Sequence, residues 1–400
     1  MRVLIAGGGI GGLTAALSCH HFGHEVVVFE QAQALENIGA GIQLPPNAMK
    51  VLHALGLEDL ISETAFDPQA IQARMGKSGR SIFSIPLASC AAQNWGAPYL
   101  HMHRADYIQT LSGALASRAP KALRLGESVK RYKNQDGGVV VALNDGRELS
   151  GDVLIAADGI KSSLREQMLG PNTPRFTGNA AWRAVVPLDD LGAHAPEPTA
   201  CVWMGSGRHA VSYRVRGGRF ANFVGVVERT DWTAESWTEK GSQEQALKDF
   251  EGWHPVITAL IKAVKPEQLY CWALYDRAPL EKWSDGYVAL LGDAAHPMLP
   301  FLAQGAAMAI EDSWVLAREL SRETRPAPES LVAYQALRFN RTRKAQLKSR
   351  ANMKTFHRRT ALGKLAAYGP MWMAGKFAPT IIYKKMDWLY SHDVTKDHSA

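Results

Sequence analysis

The feature that most restricts the fold is a glycine-rich turn between two apolar runs at the start of the chain. An apolar run over 2–6 precedes the turn, a helical pattern follows it, and a second apolar run over 25–30 ends in an acidic residue. Strand, glycine turn, helix and acid-terminated strand together are typical of a dinucleotide-binding unit. The spacing is G-x-G-x-x-G, with its acid 18 positions further on: Gly7, Gly9, Gly12 and Glu30.

Each part of this unit has a physical task. The glycines allow a tight turn and a close approach of phosphate, and the free N–H groups at the helix start attract negative charge. Glu30 is placed to accept hydrogen bonds from ribose hydroxyls, which favours FAD or NAD over a 2′-phosphorylated cofactor. A chance glycine-rich turn is the alternative, and the complete strand–helix–strand context disfavours it.

Two further segments repeat the order of buried strand, glycine turn and helix. The apolar run 153–157 leads to Asp158-Gly159 and on to Ser162 and Arg165, where Ser162 is placed to cap a helix. From the residues alone, Asp158 and Arg165 form either a structural ion pair or part of a site.

The third segment lies 280 residues from the first. The apolar run 287–291 leads to Gly292-Asp293, and a helix opens at Gln304-Gly305-Ala306. Asp293 is placed to accept hydrogen bonds from ligand hydroxyls, and the helix start favours an anionic group. Taken alone, the segment is equally an ordinary strand-to-helix turn.

The pattern changes to short alternating strands between 178 and 265, with Gly217-Gly218 as a two-residue hairpin turn and a tryptophan-rich stretch at Trp232 and Trp237. A further hairpin is expected over 69–85. We therefore predict an α/β protein: a Rossmann-like domain that binds FAD or NAD, an inserted, mostly antiparallel substrate domain, and a helical C-terminal region. The predicted boundaries are 1–75, 98–177 and 266–345 for the first, 76–97 and 178–265 for the second, and 346–400 for the third. The active site is expected between the two domains.

Composition restricts the partners. The 400-residue chain carries a net charge of +7, but 13 Lys and Arg and no acidic residue lie within 330–386, so the remainder carries −6. A solvated basic helix face is favoured over a nucleic-acid or membrane site, because no basic groove with interleaved aromatics appears. Four scattered cysteines, no signal peptide and no apolar run long enough to span a bilayer predict a cytoplasmic protein. No metal site is expected, since His101 and His103 have no third ligand nearby.

In this order the three motifs resemble the single-component FAD-dependent aromatic hydroxylases, the family of p-hydroxybenzoate hydroxylase. The similarity extends to about residue 350. The salicylate hydroxylase, 3-hydroxybenzoate 6-hydroxylase and 6-hydroxynicotinate 3-monooxygenase branch is the more similar one. Three details support it: the segment 300–308, with Ala303 where most of the wider family has glycine, the Arg208-His209 pair with Tyr213, and the ending 387–390.

The resemblance implies a set of FAD contacts. Gly7, Gly9, Gly12 and Glu30 would bind the ADP half, and Val129 the adenine through its backbone. Arg104 would reach the flavin side, although it could also pair with Asp106. Asp293 would bind the ribityl chain, and Gln304, Gly305 and Ala306 would lie beside the isoalloxazine. Asp158 would lie near the pyrophosphate and is linked to NAD(P)H use. Gln43, in a small-residue segment that would admit a flat ring, replaces a histidine of the hydroxynicotinate enzymes, which favours a hydroxybenzoate-like substrate.

The implied reaction hydroxylates a phenolic acid with NADH or NADPH and O2, through a C4a-hydroperoxyflavin, with or without loss of the carboxylate. A neutral histidine suits removal of the phenolic proton, an effect of roughly 10²–10⁴-fold. His209 is the candidate base and Tyr213 would orient the substrate; the alternative is a solvent-facing strand histidine. His296 is expected to be a structural hydrogen-bonder, and Arg183 is one candidate for binding the substrate carboxylate.

Two other functions stay open. One is a flavin epoxidase or oxidase acting on a larger polycyclic or quinone substrate. The other is a flavoprotein that binds a partner or a membrane through the basic region 330–386. The apolar ending 371–390, interrupted by Gly375 and Pro379, is expected to pack on the protein or on a second subunit of a homodimer.

Overall fold

The computed structural model describes residues 1–35, 40–171, 173–229 and 241–396. Trp232 and Trp237 of the predicted tryptophan-rich stretch, and Gly39 of the small-residue segment, lie outside these ranges. Within them, the chain alternates between short strands and helices up to residue 320 and is helical beyond it. Among the described residues, no helix is both long and apolar enough to cross a bilayer.

Eighteen strands are present in the described residues. In chain order they are β1 Arg2–Ala6, β2 Glu25–Glu30, β3 Gly41–Leu44, β4 Ala70–Met75, β5 Ser81–Pro86, β6 Leu100–His103, β7 Leu123–Leu125, β8 Val129–Gln135, β9 Gly138–Leu143, β10 Glu148–Gly151, β11 Val153–Ala156, β12 Arg175–Pro187, β13 Ala200–Gly205, β14 Arg208–Val215, β15 Phe220–Glu228, β16 Tyr270–Asp276, β17 Ser284–Asp285 and β18 Val288–Leu290.

Twelve α-helices connect or follow these strands in the described ranges. They are α1 Ile10–His21, α2 Pro46–Ala54, α3 Glu58–Ser62, α4 Ala88–Trp95, α5 Arg104–Arg118, α6 Ser163–Leu169, α7 Gln243–Asp249, α8 Pro255–Ala263, α9 Gly305–Leu320, α10 Ala327–Phe356, α11 Ala361–Phe377 and α12 Pro379–Tyr390.

A six-stranded sheet contains the strand of each of the three motifs. Its order is β17-β18-β11-β1-β2-β7, and all neighbours are parallel except the pair β17–β18. The apolar side chains of β1, β11 and β18 are buried, as expected for parallel strands covered on both faces. Because these three strands are neighbours and parallel, the motifs at their carboxyl ends meet at one edge of the sheet.

A seven-stranded, mostly antiparallel sheet forms the second layer, in the order β16-β12-β15-β14-β13-β4-β5, and only β13–β4 is parallel. Its outer face packs on α7 and α8 through large apolar residues: Trp182, Phe223, Phe250 and Trp253. The mostly antiparallel prediction is confirmed. The hairpin expected over 69–85 is also present, as β4 and β5.

The predicted domain boundaries do not follow this sheet. β4 and β16 belong to the seven-stranded sheet, although the prediction assigned 70–75 and 270–276 to the FAD-binding domain. The reason is that strand pairing is non-local: β4 pairs with β13, more than 120 residues later. The boundary at 75 therefore divides one hairpin.

The turn between β14 and β15 is longer than expected. Val215 pairs with Phe220, so four residues connect the strands rather than the two predicted. Three consecutive residues of the connection have positive φ: Arg216 (55°), Gly217 (61°) and Gly218 (88°). The two glycines supply the left-handed backbone, as expected, but within a wider loop.

The C-terminal helices fasten the third motif to the rest of the chain. From α10, Gln346 donates to the carbonyl of Pro297, Ser349 to that of Leu299 and Asn352 to that of Phe301, at 2.6–3.0 Å. α12 packs against Trp95 and Tyr99. The predicted break at Gly375 is wrong, because α11 continues to Phe377. A Cβ at Gly375 would lie 2.8 Å from that of Phe83, so the glycine provides a close approach to β5.

Candidate active site

The first glycine turn is built for close packing. Gly7 has φ +104°, and a Cβ there would lie 2.4 Å from the carbonyl oxygen of Ala157, while one at Gly12 would lie 1.8 Å from that of Gly7. Neither position tolerates a side chain. The carboxylate of Glu30 accepts hydrogen bonds from the backbone N–H groups of Gly8 (2.7 Å) and Ala32 (2.9 Å), which fix it beside the turn.

A cavity of about 390 Å³ lies between the two sheets and receives residues from all three motifs. Nine of the fourteen predicted site residues line it: Gly9, Gln43, Arg104, His209, Tyr213, Asp293, Gln304, Gly305 and Ala306. The other five do not line it, and they lie in or beside the six-stranded sheet and β8: Gly7, Gly12, Glu30, Val129 and Asp158.

Strand alternation builds the cavity wall on the seven-stranded sheet. Successive side chains of a strand point to opposite faces, so His209, Val211 and Tyr213 of β14 share one face. The pairing register sets Val226 opposite His209 and Val224 opposite Val211 on β15, and Arg183 of β12 opposite Val224. The wall is therefore apolar at its centre, with two ionisable side chains and a phenol around it.

His209 is 2 % exposed and makes one polar contact. Its Nδ1 lies 2.8 Å from Nε2 of His357, and its ring packs against those of Phe301 and Phe356. Burial, and secondarily the neighbouring His357, lower the pKa of His209 well below its ordinary value. The imidazole is therefore neutral at neutral pH. The alternative of a solvent-facing strand histidine is wrong.

Tyr213 is held between the sheets. A Cβ at Gly41 would lie 2.5 Å from the Tyr213 ring, and the backbone N–H of Gly41 donates to Asn222 Oδ1 at 2.6 Å. Burial raises the pKa of Tyr213, and Arg183 opposes the rise only in part, so the hydroxyl keeps its proton. The small-residue segment thus serves a close contact between the two layers.

Arg104 and Asp293 form a pair of opposite charges at the cavity. Both side chains are exposed, and both line the cavity. Burial raises the pKa of Asp293, while His296 and Arg104 oppose the rise. Arg104 does not pair with Asp106, because that carboxylate accepts two hydrogen bonds from Arg216, each 2.8 Å long.

The second motif is joined to the third. Ser162 caps α6 by accepting the N–H of Arg165 at 2.9 Å, as predicted. The guanidinium of Arg165 donates to the carbonyls of Ile160 and Ala294, so it does not form the structural ion pair considered for Asp158. Burial raises the pKa of Asp158, and its hydrogen bond with Ser162 lowers it in part. One oxygen of Asp158 is buried without a partner.

Two side-chain amides line the cavity, and the oxygen of each accepts a hydrogen bond from another side chain. Gln43 Oε1 accepts the hydroxyl of Tyr99 at 2.5 Å. Gln304 Oε1 accepts from Asn47 at 3.1 Å, and Gln304 Nε2 is buried with no protein partner. Each amide therefore keeps its NH2 group for a ligand. Ala303, next to Gln304, has φ +53°, a left-handed conformation that costs an alanine of order 1 kcal/mol or more.

A buried network of charges lies behind the third motif. His296 contacts Asp312 at 2.5 Å. Arg338 forms ion pairs with both Asp312 and Glu311, and Arg341 forms a second ion pair with Glu311. Burial alone would raise the pKa of Glu311, but Arg338 and Arg341 outweigh it and the net shift is downward. The structural reading of His296 is confirmed. The solvated-face reading of 330–386 holds for Arg343 and Lys344, which are exposed, and is wrong for Arg338.

Sequence reasoning missed two residues that extend the site. His357 follows α10 and Glu228 ends β15, and neither belongs to a motif. Nothing in their sequence context separates them from other histidines and acids. Their role follows only from the contact that tertiary packing gives them with His209. Within the ranges that were searched, no group of three or more metal-ligating side chains occurs.

The cavity fits the predicted dinucleotide with a flat ring system. A Cβ at Gly9 or Gly159 would meet nothing within 4 Å, so space is open at both turns. Gln304 Nε2 lacks a partner, and Arg104 and Asp293 face the open volume with complementary charge. The residues present therefore suit FAD, with phosphates at the turns and a ring beside Gln304.

Comparison with known proteins agrees with this geometry. The model of the family described as FAD binding domain matches residues 1–348. The chain is 37% identical to 3-hydroxybenzoate 6-hydroxylase 1 of Aquipseudomonas alcaligenes, covering 99% of each sequence. It is 38% identical to 6-hydroxynicotinate 3-monooxygenase of Pseudomonas fluorescens, covering 88% of this chain and 91% of the relative.

A solved structure matches over almost the whole chain. The crystal structure of Klebsiella pneumoniae HpxO complexed with FAD and uric acid superposes with a TM-score of 0.86 at 29% identity. The match covers 98% of this chain and 97% of that one. The predicted fold class and the predicted resemblance are both confirmed. The chain therefore belongs to the FAD binding domain family and, within it, is an FAD-dependent aromatic hydroxylase.

Proposed function

We propose that this protein uses NADH or NADPH and O2 to hydroxylate a hydroxybenzoate-like phenolic acid. The observation that carries the proposal is a buried, neutral histidine and a half-buried guanidinium, with no acidic partner among the described residues, on opposite sides of one apolar cavity wall. Bound FAD, once reduced by the nicotinamide cofactor, supplies the activated oxygen that is added to the ring. The protein supplies the binding, the orientation and the removal of a proton.

His209 is the proposed base. A phenolate ring is more electron-rich than a phenol, so proton removal favours attack by an electrophilic oxygen. The Nδ1 of His209 is engaged by His357, which leaves Nε2 for the substrate hydroxyl. Because burial and His357 lower the pKa of His209, the ring is unprotonated, and Nε2 is free to accept a hydrogen bond from the substrate hydroxyl. Tyr213, two cavity-facing positions further along β14, would orient the substrate.

Arg183 is the proposed carboxylate-binding residue. Its guanidinium stacks on Trp272, 4.6 Å from the ring centroid, and its Nε is buried with no hydrogen-bond partner. Burial lowers the pKa of Arg183, Tyr213 opposes the shift and Arg104 adds to it. A half-buried cation without an anionic partner is unfavourable, and a substrate carboxylate would offset that cost through charge-assisted hydrogen bonds.

The remaining predicted residues are proposed as cofactor contacts. The first turn with Gly7, Gly9 and Gly12 would bind the pyrophosphate, Glu30 the ribose, and Val129 the adenine through its backbone. Asp293 would bind the ribityl chain, with Arg104 on the flavin side. Gln304, Gly305 and Ala306, with Gln43, would lie beside the ring. Asp158, whose unpartnered oxygen lies beside the second turn, would influence nicotinamide binding.

Gln43 favours a hydroxybenzoate over a hydroxypyridine. Its oxygen is occupied by Tyr99, so the side chain offers the cavity an N–H donor and no base. A ring nitrogen that must exchange a proton would gain nothing from this group. Similarity to a hydroxybenzoate hydroxylase over 99% of the chain supports the same choice.

The test is oxidation of NADH and NADPH by the purified protein with a panel of hydroxybenzoates, hydroxypyridines and bicyclic heterocycles. We expect a hydroxybenzoate to stimulate oxidation and to yield a product heavier by one oxygen, with or without loss of carbon dioxide. Stimulation by bicyclic compounds alone would overturn the substrate class and favour the larger-substrate alternative.

The base is tested with His209→Gln. We expect product formation to fall by roughly 10²–10⁴-fold while FAD content stays normal. NAD(P)H oxidation should then continue without equivalent product, because reduction of the cofactor does not need the base. Normal hydroxylation at neutral pH by this variant would exclude His209. The matched control is His254→Gln, a histidine packed on Trp203 away from the cavity.

The homodimer and the cytoplasmic location stay proposals. Exposed apolar side chains on α11, Leu362, Leu365 and Phe377, support an association between copies. The molar mass by light scattering of the wild type and of Leu365→Lys tests it. A monomeric wild type would exclude the dimer. The alternative in which 330–386 binds a membrane or a partner is weakened by the buried pairings of Arg338 and Arg341.

A further inference from the structure

Three ionisable side chains form a continuous line from the cavity to the surface. His209 lines the cavity, its Nδ1 is 2.8 Å from Nε2 of His357, and Nδ1 of His357 is 3.1 Å from Oε1 of Glu228. His209 is 2 % exposed and His357 5 %, whereas the side chain of Glu228 is 34 % exposed. The line therefore runs from a closed interior to solvent in two hydrogen bonds.

The atoms in contact allow a proton to pass. His357 contacts His209 through Nε2 and Glu228 through Nδ1, while His209 contacts His357 through Nδ1 and lines the cavity, so a proton arriving at one nitrogen of either ring can leave from the other. With Nδ1–H of His209 donating to Nε2 of His357, and Nδ1–H of His357 donating to Glu228, every bond points outward. This arrangement leaves Nε2 of His209 as an acceptor at the cavity.

The charges favour a proton at the outer end. Burial lowers the pKa of His209, and His357 lowers it further, so an imidazolium is unfavourable at the cavity. Burial also lowers the pKa of His357, but Glu228 opposes this and only Arg359 adds to it. A positive charge is therefore less unfavourable on His357 than on His209. This difference helps His209 to release the proton that it accepts.

The packing holds the outer groups in place. His357 follows α10, and its carbonyl accepts the N–H of Gly207 from the β13–β14 turn at 3.3 Å. Arg359 forms an ion pair with Glu228, and Lys364 of α11 donates to Ser206 at 2.8 Å. The charged groups facing the outer end are therefore Glu228, Arg359 and Lys364, and they lie at the surface.

We propose that His357 and Glu228 form a proton relay that carries the phenolic proton of the bound substrate from His209 to solvent. The inference rests on the proposed function, because the relay serves a substrate that must be ionised inside a closed cavity. The phenolic O–H bond breaks and an Nε2–H bond forms on His209. Its Nδ1 proton passes to Nε2 of His357, and the Nδ1 proton of His357 passes to Glu228 and then to water. No electrons are transferred, and each group ends with the number of protons it began with, apart from the substrate.

The experiment measures the rate of ionisation without turnover. The FAD-loaded protein is mixed with a nitro-substituted 3-hydroxybenzoate, whose phenolate absorbs visible light, and no NAD(P)H is added. A stopped-flow jump from acid to alkaline pH then reports how fast the bound phenol loses its proton, and a slow titration reports its apparent pKa. Wild type, His357→Ala, Glu228→Gln and the control His254→Ala are compared.

We expect His357→Ala to slow ionisation of the bound phenol at least tenfold, and Glu228→Gln to slow it by a smaller factor. Added imidazole should restore the rate in His357→Ala, since a small base can fill the gap. A merely structural loss would not respond to imidazole and would lower FAD content, which is measured in parallel. The His254→Ala control should ionise the probe at the wild-type rate.

Failure of the relay and failure of the proposed function give different results. If wild type binds and ionises the probe but His357→Ala does so at the wild-type rate, or is slow without imidazole rescue, the relay is wrong and the proposed function stands. If wild type binds no phenolic acid and oxidises NAD(P)H with none, the proposed function fails and the relay fails with it.

Discussion

At the residue scale, the position and the charged neighbours of Asp293 make its carboxylate available to a ligand. Asp293 follows the buried strand β18 by three residues, its side chain is exposed, and it lines the cavity. Arg104 and His296 stabilise its charge against the effect of burial. Among the described residues the Asp293 carboxylate accepts no side-chain or capping hydrogen bond, so its oxygens stay available to hydroxyl donors of a ligand.

Replacing Asp293 by Ala is expected to weaken FAD binding by about 10- to 100-fold. A hydrogen bond to a charged group contributes about 1.5–3 kcal/mol, and 1.4 kcal/mol is a factor of ten. The measurement is flavin fluorescence on titrating FAD into the cofactor-stripped protein. Asp136→Ala, at an exposed turn, is the control. Unchanged affinity in Asp293→Ala would remove this residue from the cofactor site.

At the element scale, α9 and α10 are joined by charges rather than by apolar contacts alone. Glu311 and Asp312 of α9 are fully buried, and Arg338 of α10, 1 % exposed, contacts both. The same helix α10 holds the carbonyls of 297–301 beside the cavity. The network therefore sets the position of the third motif relative to the six-stranded sheet.

Arg338→Met is expected to destabilise the protein by about 3–5 kcal/mol, because it leaves two carboxylates buried without their shared cation. The free energy of unfolding is measured by denaturant titration with FAD held in excess. Arg343→Met removes an exposed arginine from the same helix and should change it by less than about 0.5 kcal/mol. Equal effects of the two substitutions would show that the network contributes nothing specific.

At the scale of the whole molecule, part of the contact beside the cavity is made by aromatic and imidazole rings that carry no charge. His101 is fully buried there and packs against Phe66, Tyr99 and Tyr213. Burial lowers the pKa of His101 from 6.5 to about 3. The interface between the domains therefore depends on histidines that stay neutral.

This gives a signed dependence of stability on pH. Below about pH 6.5 the unfolded chain binds a proton at His101 and the folded chain does not, so stability falls as pH falls, down to about pH 3. The slope is about 1.4 kcal/mol per pH unit for each such histidine. The free energy of unfolding is expected to fall between pH 7 and pH 5. We expect His101→Phe to reduce this fall by the contribution of one histidine, about 1.4 kcal/mol per pH unit. His53→Gln, at an exposed position, should leave it unchanged.

The sequence predicted the cavity well where local motifs determine it. Each motif combines a buried strand, a glycine turn and a helix start, and local chemistry alone specifies that combination. Gly9, Asp293, Gln304, Gly305 and Ala306 meet at the cavity because the strands that precede them are in one parallel sheet, whereas Gln43, Arg104, His209 and Tyr213 reach it from strands of other sheets or directly after them. The predictions failed where the determinant is non-local: the sheet membership of β4 and β16, the partner of Arg165, and the burial of Arg338.

What the sequence by itself determined is the dinucleotide unit, the family and the order of the three motifs, because glycine spacing, buried strands and helix starts are local properties. Only the tertiary structure decided which histidine is buried against which. His209 and His357 are 148 residues apart, and β14 and the end of α10 bring them within 2.8 Å. No local pattern encodes such a contact, because it arises from the packing of elements whose positions are set by the whole core.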